Sequence, residues 1–597
     1  MDIKIIGKYI NTLKHLKKKQ IFYRVLKKIK LRRLSYVKKN LNSNCNIEYL
    51  LPELDEDKNF LKKFRVSEIL EDKYTLINQT YTCPIDELWN NKEISNLWEY
   101  NLYYLDFLLP LLYEYKISND QKYFLKIKEI LLSWYDKSQK KDNVSWDAYT
   151  ISMRLPNLII AHQTILKTAE NSKELLQLLR QSIYQQYMYL KKNQEKHLLG
   201  NHYLENIKAI ILGSLFFSES RVTNKYVKVL QNELQEQVLS DGMHFERSPM
   251  YNKIVFELLI KTIYWLKQAE FDSTQILKLT NTCQNILNSI YSLEKNMGKT
   301  PFFNDSADGI SKNYDSLIRA SCKYLGIKPK KINRLTSSGY EVMEKGLLKM
   351  VIDYGEIGPK YLPGHGHCDA LSYELSISGL PIIVNSGTFE YEKGYWRDFF
   401  RRTSAQNTVQ FGSVEQSEIW SSFRVARRSY DHKGLNFNLG KYNFFVGSYF
   451  NYRGDKHRRF ITFLDEEIIL FLDEISTKDN RLAKSYLHFH PNLKTENNII
   501  RSKDNEKIVL KIHPLFSKNR GNGKAGSNEG YYSSHFNIKK PISTYELTAD
   551  IGDTFIGYIL NFGDKDVSYN ILNDYLEISI GEEKAIINLA KLFSLKF

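Results

Sequence analysis

Two hydrophobic periods divide this chain. From about residue 50 to 330, apolar positions recur at i, i+3 and i+4 in the stretches 101–115, 121–135, 151–169, 173–192, 203–218, 223–238, 253–268 and 274–293. That spacing gathers the apolar side chains of each stretch on one helical face. The stretches are similar in length and are joined by short polar turns. They predict antiparallel helix hairpins in a bundle, a solenoid or an α/α toroid. From about residue 338 the period falls to two. GLLKMVIDY, ALSYELSI, LPIIVNSG, QNTVQF, NFFVGSYF, RRFITFL, EIILFLDEI, SYLHFH, KIVLKIH, TFIGYIL and KAIINLA read as strands between Gly, Asn, Asp and Lys turns. Short strands at regular spacing predict an antiparallel β-sandwich. GNGKAGSNEG, residues 521–530, reads as a flexible loop. The expected architecture is an α+β multidomain chain: an extension over 1–45, a helical domain over 46–335 and a sandwich over 336–597.

The extension has its own pattern. Residues 3–38 read as one or two basic amphipathic helices, with Ile5, Ile6, Tyr9, Ile10, Leu13, Leu16, Ile21, Phe22, Val25, Leu26 and Ile29 at helical spacing among lysines. Residues 1–40 hold 14 Lys or Arg against the single acid Asp2, so they carry most of the formal net charge of +17. Two readings are open: attachment to an anionic membrane surface or polyanionic polymer, and a solvated helix packed on the main body. No apolar run of about twenty residues predicts a spanning helix. LLPLLYEY near Leu108 is too short and is interrupted by Pro110. The basic N-terminus lacks a continuous apolar core and a small-residue cleavage site, so no secretory signal is expected. The expected location is cytoplasmic, with peripheral contact at the inner membrane face through residues 1–40. Five widely spaced cysteines without a CxxC fit a reducing compartment. No phosphate loop, dinucleotide fingerprint or nucleic-acid motif is present, so no nucleic-acid partner is expected. The 41 Tyr and 31 Phe suit carbohydrate-lining surfaces, because a tyrosine ring offers an apolar face and a hydroxyl. An AT-rich genome gives the same bias.

Candidate chemistry concentrates in a few stretches. PGHGHCDALSYELSISGLPIIVNSGTFEY places His365 and His367 at i, i+2, on one face of an extended segment, so a loop could present both imidazoles to one cleft. GNHYLEN sets Asn201 at a helix start, with His202 and Glu205 at i, i+3. SDGMHFERSPMYNK carries His244, Glu246, Arg247 and Tyr251, and Ser248-Pro249 opens a helix. FFNDSADG puts Asp305 and Asp308 in a Gly-terminated loop. WDAYTISMRLPN brings Trp146, Tyr149 and Arg154 together, an aromatic–arginine group suited to an acidic sugar. Each group also has an ordinary structural reading as a cap, a core aromatic or a sandwich rim.

In collinear order these stretches, from LWEYNLYYLDF (97–107) to YYSSHFNIKKP (531–541), resemble the heparinase II/III-like polysaccharide lyases, a group that includes alginate lyases. The resemblance implies an N-terminal α/α toroid, a C-terminal antiparallel β-sandwich and a cleft between them. It also implies β-elimination on an acidic polysaccharide substrate, one containing uronic acid. Degradative members of that family are exported, so the expected lack of an export signal and the basic N-terminal helix point instead to capsule, O-antigen or exopolysaccharide metabolism. Asn201 would neutralise the uronate carboxylate. Tyr251 would serve as base, acid or both, and His202 and His365 would complete the proton-transfer set. Trp146, Tyr149, Arg154, Glu205, His244, Glu246, Arg247, Tyr391, Arg397 and Arg401 would bind or orient substrate. A C5-epimerase shares the first chemical step, and a binding protein without turnover shares the cleft.

The family often carries zinc at the sandwich. The positions that would hold it here read His367, Asn385 and Gln406. Neutral amides are poor zinc ligands, so no cofactor is expected.

Overall fold

The computed structural model describes residues 3–29, 43, 46–89, 91–138, 144–169, 172–479, 481–517, 522–549 and 552–596. Helices dominate up to Leu325, and antiparallel sheets dominate from Arg334 onward. In the helical half, Ala148–Thr168, Gly200–Phe216 and Pro249–Gln268 are buried around most of their circumference. Gln121–Lys137, Lys173–Lys192, Ser220–Gln237 and Ser273–Glu294 bury a single stripe. Inner and outer helices therefore alternate along the chain, as in a ring of α-hairpins. Two local readings are corrected. The 101–115 stretch is two helices, Asn96–Tyr104 and Leu108–Ser118, because Leu105 adopts φ 61° and breaks the pattern. A small hairpin, Lys73–Leu76 with Gln79–Thr82, interrupts the helical half.

The β half is layered. An eight-stranded antiparallel sheet runs from Tyr430–Leu439 at one edge to Leu493–Glu496 at the other. Its strand Ile468–Ser476 is buried on both faces, which is why it reads as an unbroken apolar run. Ile469 and Phe471 join the core shared with the five-stranded sheet (Arg334 to Ile383) and the four-stranded sheet. Ile468, Leu470 and Leu472 face the three-stranded sheet Val567–Asn588. The expected loop at 521–530 is instead the start of strand Asn522–His535, paired to Ile538–Thr548 with a register shift between Gly526 and Gly530. Ladder hydrogen bonds come from the backbone, so a long neighbouring strand can recruit a glycine-rich segment that has no side-chain pattern.

The N-terminal helices Ile3–Leu13 and Lys18–Ile29 pack on the body and touch both halves. Gln20 is fully buried and donates to Leu198 O at 3.3 Å. Trp420 Nε1 donates to Thr12 Oγ1 at 3.1 Å, and the Tyr9 and Trp420 rings meet edge-on at 4.8 Å. Residues 30–42 of the expected basic extension lie outside the described residues. Among the described residues no helix is long and apolar enough to cross a membrane. The four described cysteines, Cys83, Cys283, Cys322 and Cys368, are free thiols.

Candidate active site

A cavity of about 850 Å³ opens between the toroid, the sandwich and the N-terminal helices. Each half delivers its residues from helix starts or strand-entry loops. Gly200 opens the inner helix with φ 61°, and a Cβ there would collide with Glu246 and Leu362. This tight start seats Asn201 against Glu246, whose Oε2 accepts from Asn201 Nδ2 at 2.8 Å. The amide NH2 carries two donors, and Glu246 takes one. One residue on, the His202 ring packs at a tilt of 38° against that of Tyr149, with centroids 4.3 Å apart. Its Nδ1 lies 3.3 Å from Glu195 Oε2. Burial disfavours the imidazolium, but the Glu195 carboxylate outweighs it and holds the His202 pKa above the ordinary value.

Tyr251 sits in the first turn of helix Pro249–Gln268, where Ser248 Oγ caps its N–H at 3.2 Å. Its hydroxyl is 2.9 Å from that of Tyr391, and its ring packs 4.2 Å from that of His365. Burial, then the neighbouring Tyr391 and Asp305, raise the Tyr251 pKa well above the usual phenol range. The resting side chain is therefore a phenol. His365 Nδ1 is 2.9 Å from Asp305 Oδ2. A neutral imidazole donating from Nδ1 carries its lone pair on Nε2.

Asp305 organises the sandwich side. It accepts from His365, from His367 Nε2 at 2.9 Å and from both guanidinium nitrogens of Arg397. Burial alone would raise its pKa, yet Arg397 and the two histidines hold the carboxyl well below the usual range. The sequence offered Asp305 only as part of a weak calcium or turn motif in a Gly-terminated loop, without a partner at the site. Glu195 was also missed, because its stretch carries no motif and it meets His202 only through the fold.

The cavity wall collects eight of the fourteen predicted residues: Asn201, His202, Tyr251, His365, Tyr149, Glu205, Glu246 and Tyr391. The other six are committed to protein partners. Arg154 is wholly buried and donates to Tyr103 O, Ser145 O and Gln186 Oε1 at 2.8–2.9 Å. Trp146 packs edge-on against Tyr189. His244, fully buried, lies behind Glu246 with Nε2 3.2 Å from Gln237 Oε1. Arg247 donates to Glu356 O. Arg397 clasps Asp305 and reaches Ser422 O, and Arg401 donates to Gly366 O, Ser421 O and Ser422 O. None of the six reaches the cavity wall, which corrects the expectation that they bind substrate directly, although Arg247 Nε, Arg401 Nη2 and His244 Nδ1 keep no hydrogen-bond partner. The paired-imidazole reading is corrected too: His365 reaches the cavity, whereas His367 is fully buried behind it.

The zinc-equivalent positions hold one imidazole and two neutral amides, with His367 Nδ1 and Gln406 Oε1 buried and unpartnered. Asn385 Oδ1 accepts from Ser372 Oγ at 2.6 Å, and Gln406 Nε2 donates to Phe400 O at 2.9 Å. These amides are tied into the strand entrance, and the set offers no anionic donor. No group of three or more His, Cys, Asp or Glu among the described residues could hold a metal ion.

Comparison with known proteins follows the same division of the chain. Residues 22–329 match the family profile Heparinase II/III N-terminus, and residues 327–552 match Heparinase II/III-like, C-terminal. A heparin-sulfate lyase from Pedobacter heparinus is 22% identical over 501 residues, covering 77% of this chain and 72% of that protein. One from Bacteroides stercoris is 21% identical over 444 residues, covering 65% of this chain and 63% of that protein. The crystal structure of heparinase III superposes with a TM-score of 0.72 at 15% identity, covering 92% of this chain and 94% of the other. This likeness gives the fold: an α/α toroid followed by an antiparallel β-sandwich. The two profiles together span nearly the whole described body, and the chain belongs to the heparinase II/III family.

Proposed function

We propose that this protein is a polysaccharide lyase that cleaves a uronic-acid-containing polymer by β-elimination. The observation that carries the reading is the meeting of Asn201, His202, Tyr251 and His365 on one cavity wall, from both halves of the chain. The similarity to heparin-sulfate lyases supports it. In the proposed reaction, Asn201 and the His202 imidazolium face the C6 carboxylate and make the C5 proton acidic. His365, oriented by Asp305, takes that proton through Nε2. The C5 electron pair forms the C4=C5 double bond, and the C4–O4 bond breaks. Tyr251 delivers its phenolic proton to the departing O4.

The test is the near-ultraviolet absorbance of a 4,5-unsaturated uronate, read across a panel of uronate polysaccharides. A rise with the wild type that is lost in Tyr251→Phe supports the proposal. If Tyr251 is the acid and His365 the base, Tyr251→Phe retains C5 exchange with solvent deuterium. Loss of exchange moves the base role to Tyr251.

A second reading, a uronosyl C5-epimerase, is favoured by one feature. Two separate proton-handling pairs, His202–Glu195 and Tyr251–His365, share the cavity. Deuterium at C5 without chain cleavage by the wild type would select it.

A further inference from the structure

The cavity does not end at the reacting groups. From His365 its wall continues to Phe423, whose ring centroid is 5.9 Å away, and to Arg424 next in sequence. The Arg424 guanidinium lies over the rings of Trp420 at 4.9 Å and Tyr9 at 5.4 Å. Tyr9 belongs to the first N-terminal helix, which precedes the region matched by the family profiles. Arg24 of the second helix lines the same wall, as do Lys360 and Arg428.

These four cations have no carboxylate oxygen within 4.0 Å among the described residues. Nearby acids are engaged elsewhere: Glu418 pairs with Arg427, and Glu236 pairs with Lys17. Glu356 acts on Arg428 only at longer range. Arg428 Nε is buried without a hydrogen-bond partner. Arg24 and Arg428 are half-buried and Arg424 and Lys360 exposed, so the like charges repel most at the two half-buried guanidiniums, and an anion between them relieves that cost. The arrangement is also held in place. Arg397 and Arg401 anchor the carbonyls of Ser421 and Ser422, directly before Phe423 and Arg424.

We propose that the N-terminal helices and the 420–428 loop form an additional sugar-binding subsite, in which Tyr9 and Trp420 offer aromatic faces and Arg24, Arg424, Arg428 and Lys360 bind an anionic substituent, sulfate or carboxylate, on a sugar flanking the scissile one. The proposal rests on the polysaccharide reading above and adds a requirement for charge beyond the reacting uronate. The rings supply apolar contact for a sugar face, and the guanidinium forks supply paired donors for oxyanions.

The test measures binding, so that it survives failure of the lyase reading. Full-length Tyr251→Phe protein, which keeps oligosaccharides intact, is titrated with three probes: a heparin-derived octasaccharide, an unsulfated glucuronate-containing octasaccharide and neutral maltooctaose. Arg24→Glu and Arg424→Glu should each weaken binding of an anionic probe by roughly tenfold. The effect should shrink at high salt, and maltooctaose should not respond. A loss confined to the heparin probe assigns the site to sulfate, and an equal loss on both assigns it to carboxylate. Arg24→Gln, a milder change, gives the same ranking if charge reversal disturbs folding. Unchanged affinity for both anionic probes would overturn the proposal. So would variants that weaken binding to phosphatidylserine vesicles while leaving oligosaccharide binding intact, since the cations would then face a lipid surface.

Discussion

Asp305 and Asp473 are each clasped by an arginine fork and by imidazole, and both carboxylates are fully buried. Asp305 holds Arg397, His365 and His367 at the cavity. Asp473 holds Arg459 and His457 inside the sandwich, with Arg459 also donating to Leu371 O and Asn407 O. Both carboxyls sit well below the usual pKa range: burial opposes this, and the arginine and histidine partners outweigh it. The difference lies one residue further out. The His365 side chain is 13% exposed and lines the cavity, whereas that of His457 is wholly enclosed. The same three residue types thus make an orienting device where one ring meets solvent, and a structural clamp where none does.

Breaking the two carboxylates separately gives the largest contrast. Asp305→Asn and Asp473→Asn each leave a buried guanidinium uncompensated and should cost about 3–5 kcal/mol in denaturant unfolding. Per folded molecule, Asp305→Asn should also lose roughly 10²–10⁴-fold in kcat, while Asp473→Asn keeps wild-type kcat. Equal kcat values for both variants would refute the distinction.

Acid sensitivity sharpens it next. The folded pKa of Asp473 is depressed, so its contribution is present above the unfolded carboxyl value of about 3.9 and is lost as pH falls below it. Wild type should destabilise steadily from about pH 5 downward, and Asp473→Asn should show a flatter profile over that window.

A smaller effect belongs to Glu195. Because Glu195 holds the His202 pKa above its ordinary value, Glu195→Gln should move the alkaline limb of kcat/KM to lower pH. About a tenfold loss at pH 8 is expected, with kcat recovering on acidification. A pH profile that only drops, without shifting, would assign Glu195 to packing instead.

The smallest expected effect is that of a chelator. With amides at two of the three zinc-equivalent positions, prolonged EDTA treatment should leave both melting temperature and kcat unchanged.

Much of the site was legible because its residues sit where local rules place them. Asn201 and Tyr251 lie in first helical turns and His365 in a loop feeding a strand, and the family resemblance gave them their roles; Asn201 does not cap its helix, since Leu199 holds the cap position and the amide turns to Glu246. The arginines misled for a reason of charge. An arginine beside aromatics reads as an anion binder, but Arg154 and Arg401 are buried away from the cavity and turn most of their donors to carbonyls that only the folded chain brings near.

The sequence by itself determined the two-part architecture, the helix and strand periods, and the residue types of the reacting group. These depend on spacing along the chain and on side-chain chemistry. Tertiary structure decided which of two similar Asp–Arg–His clusters meets the cavity, that Glu195 meets His202 and raises its pKa, and that the N-terminal helices close one wall of the cleft. Those outcomes depend on contacts between segments tens to hundreds of residues apart, and on which side of each contact keeps access to water. Neither quantity is written in local pattern.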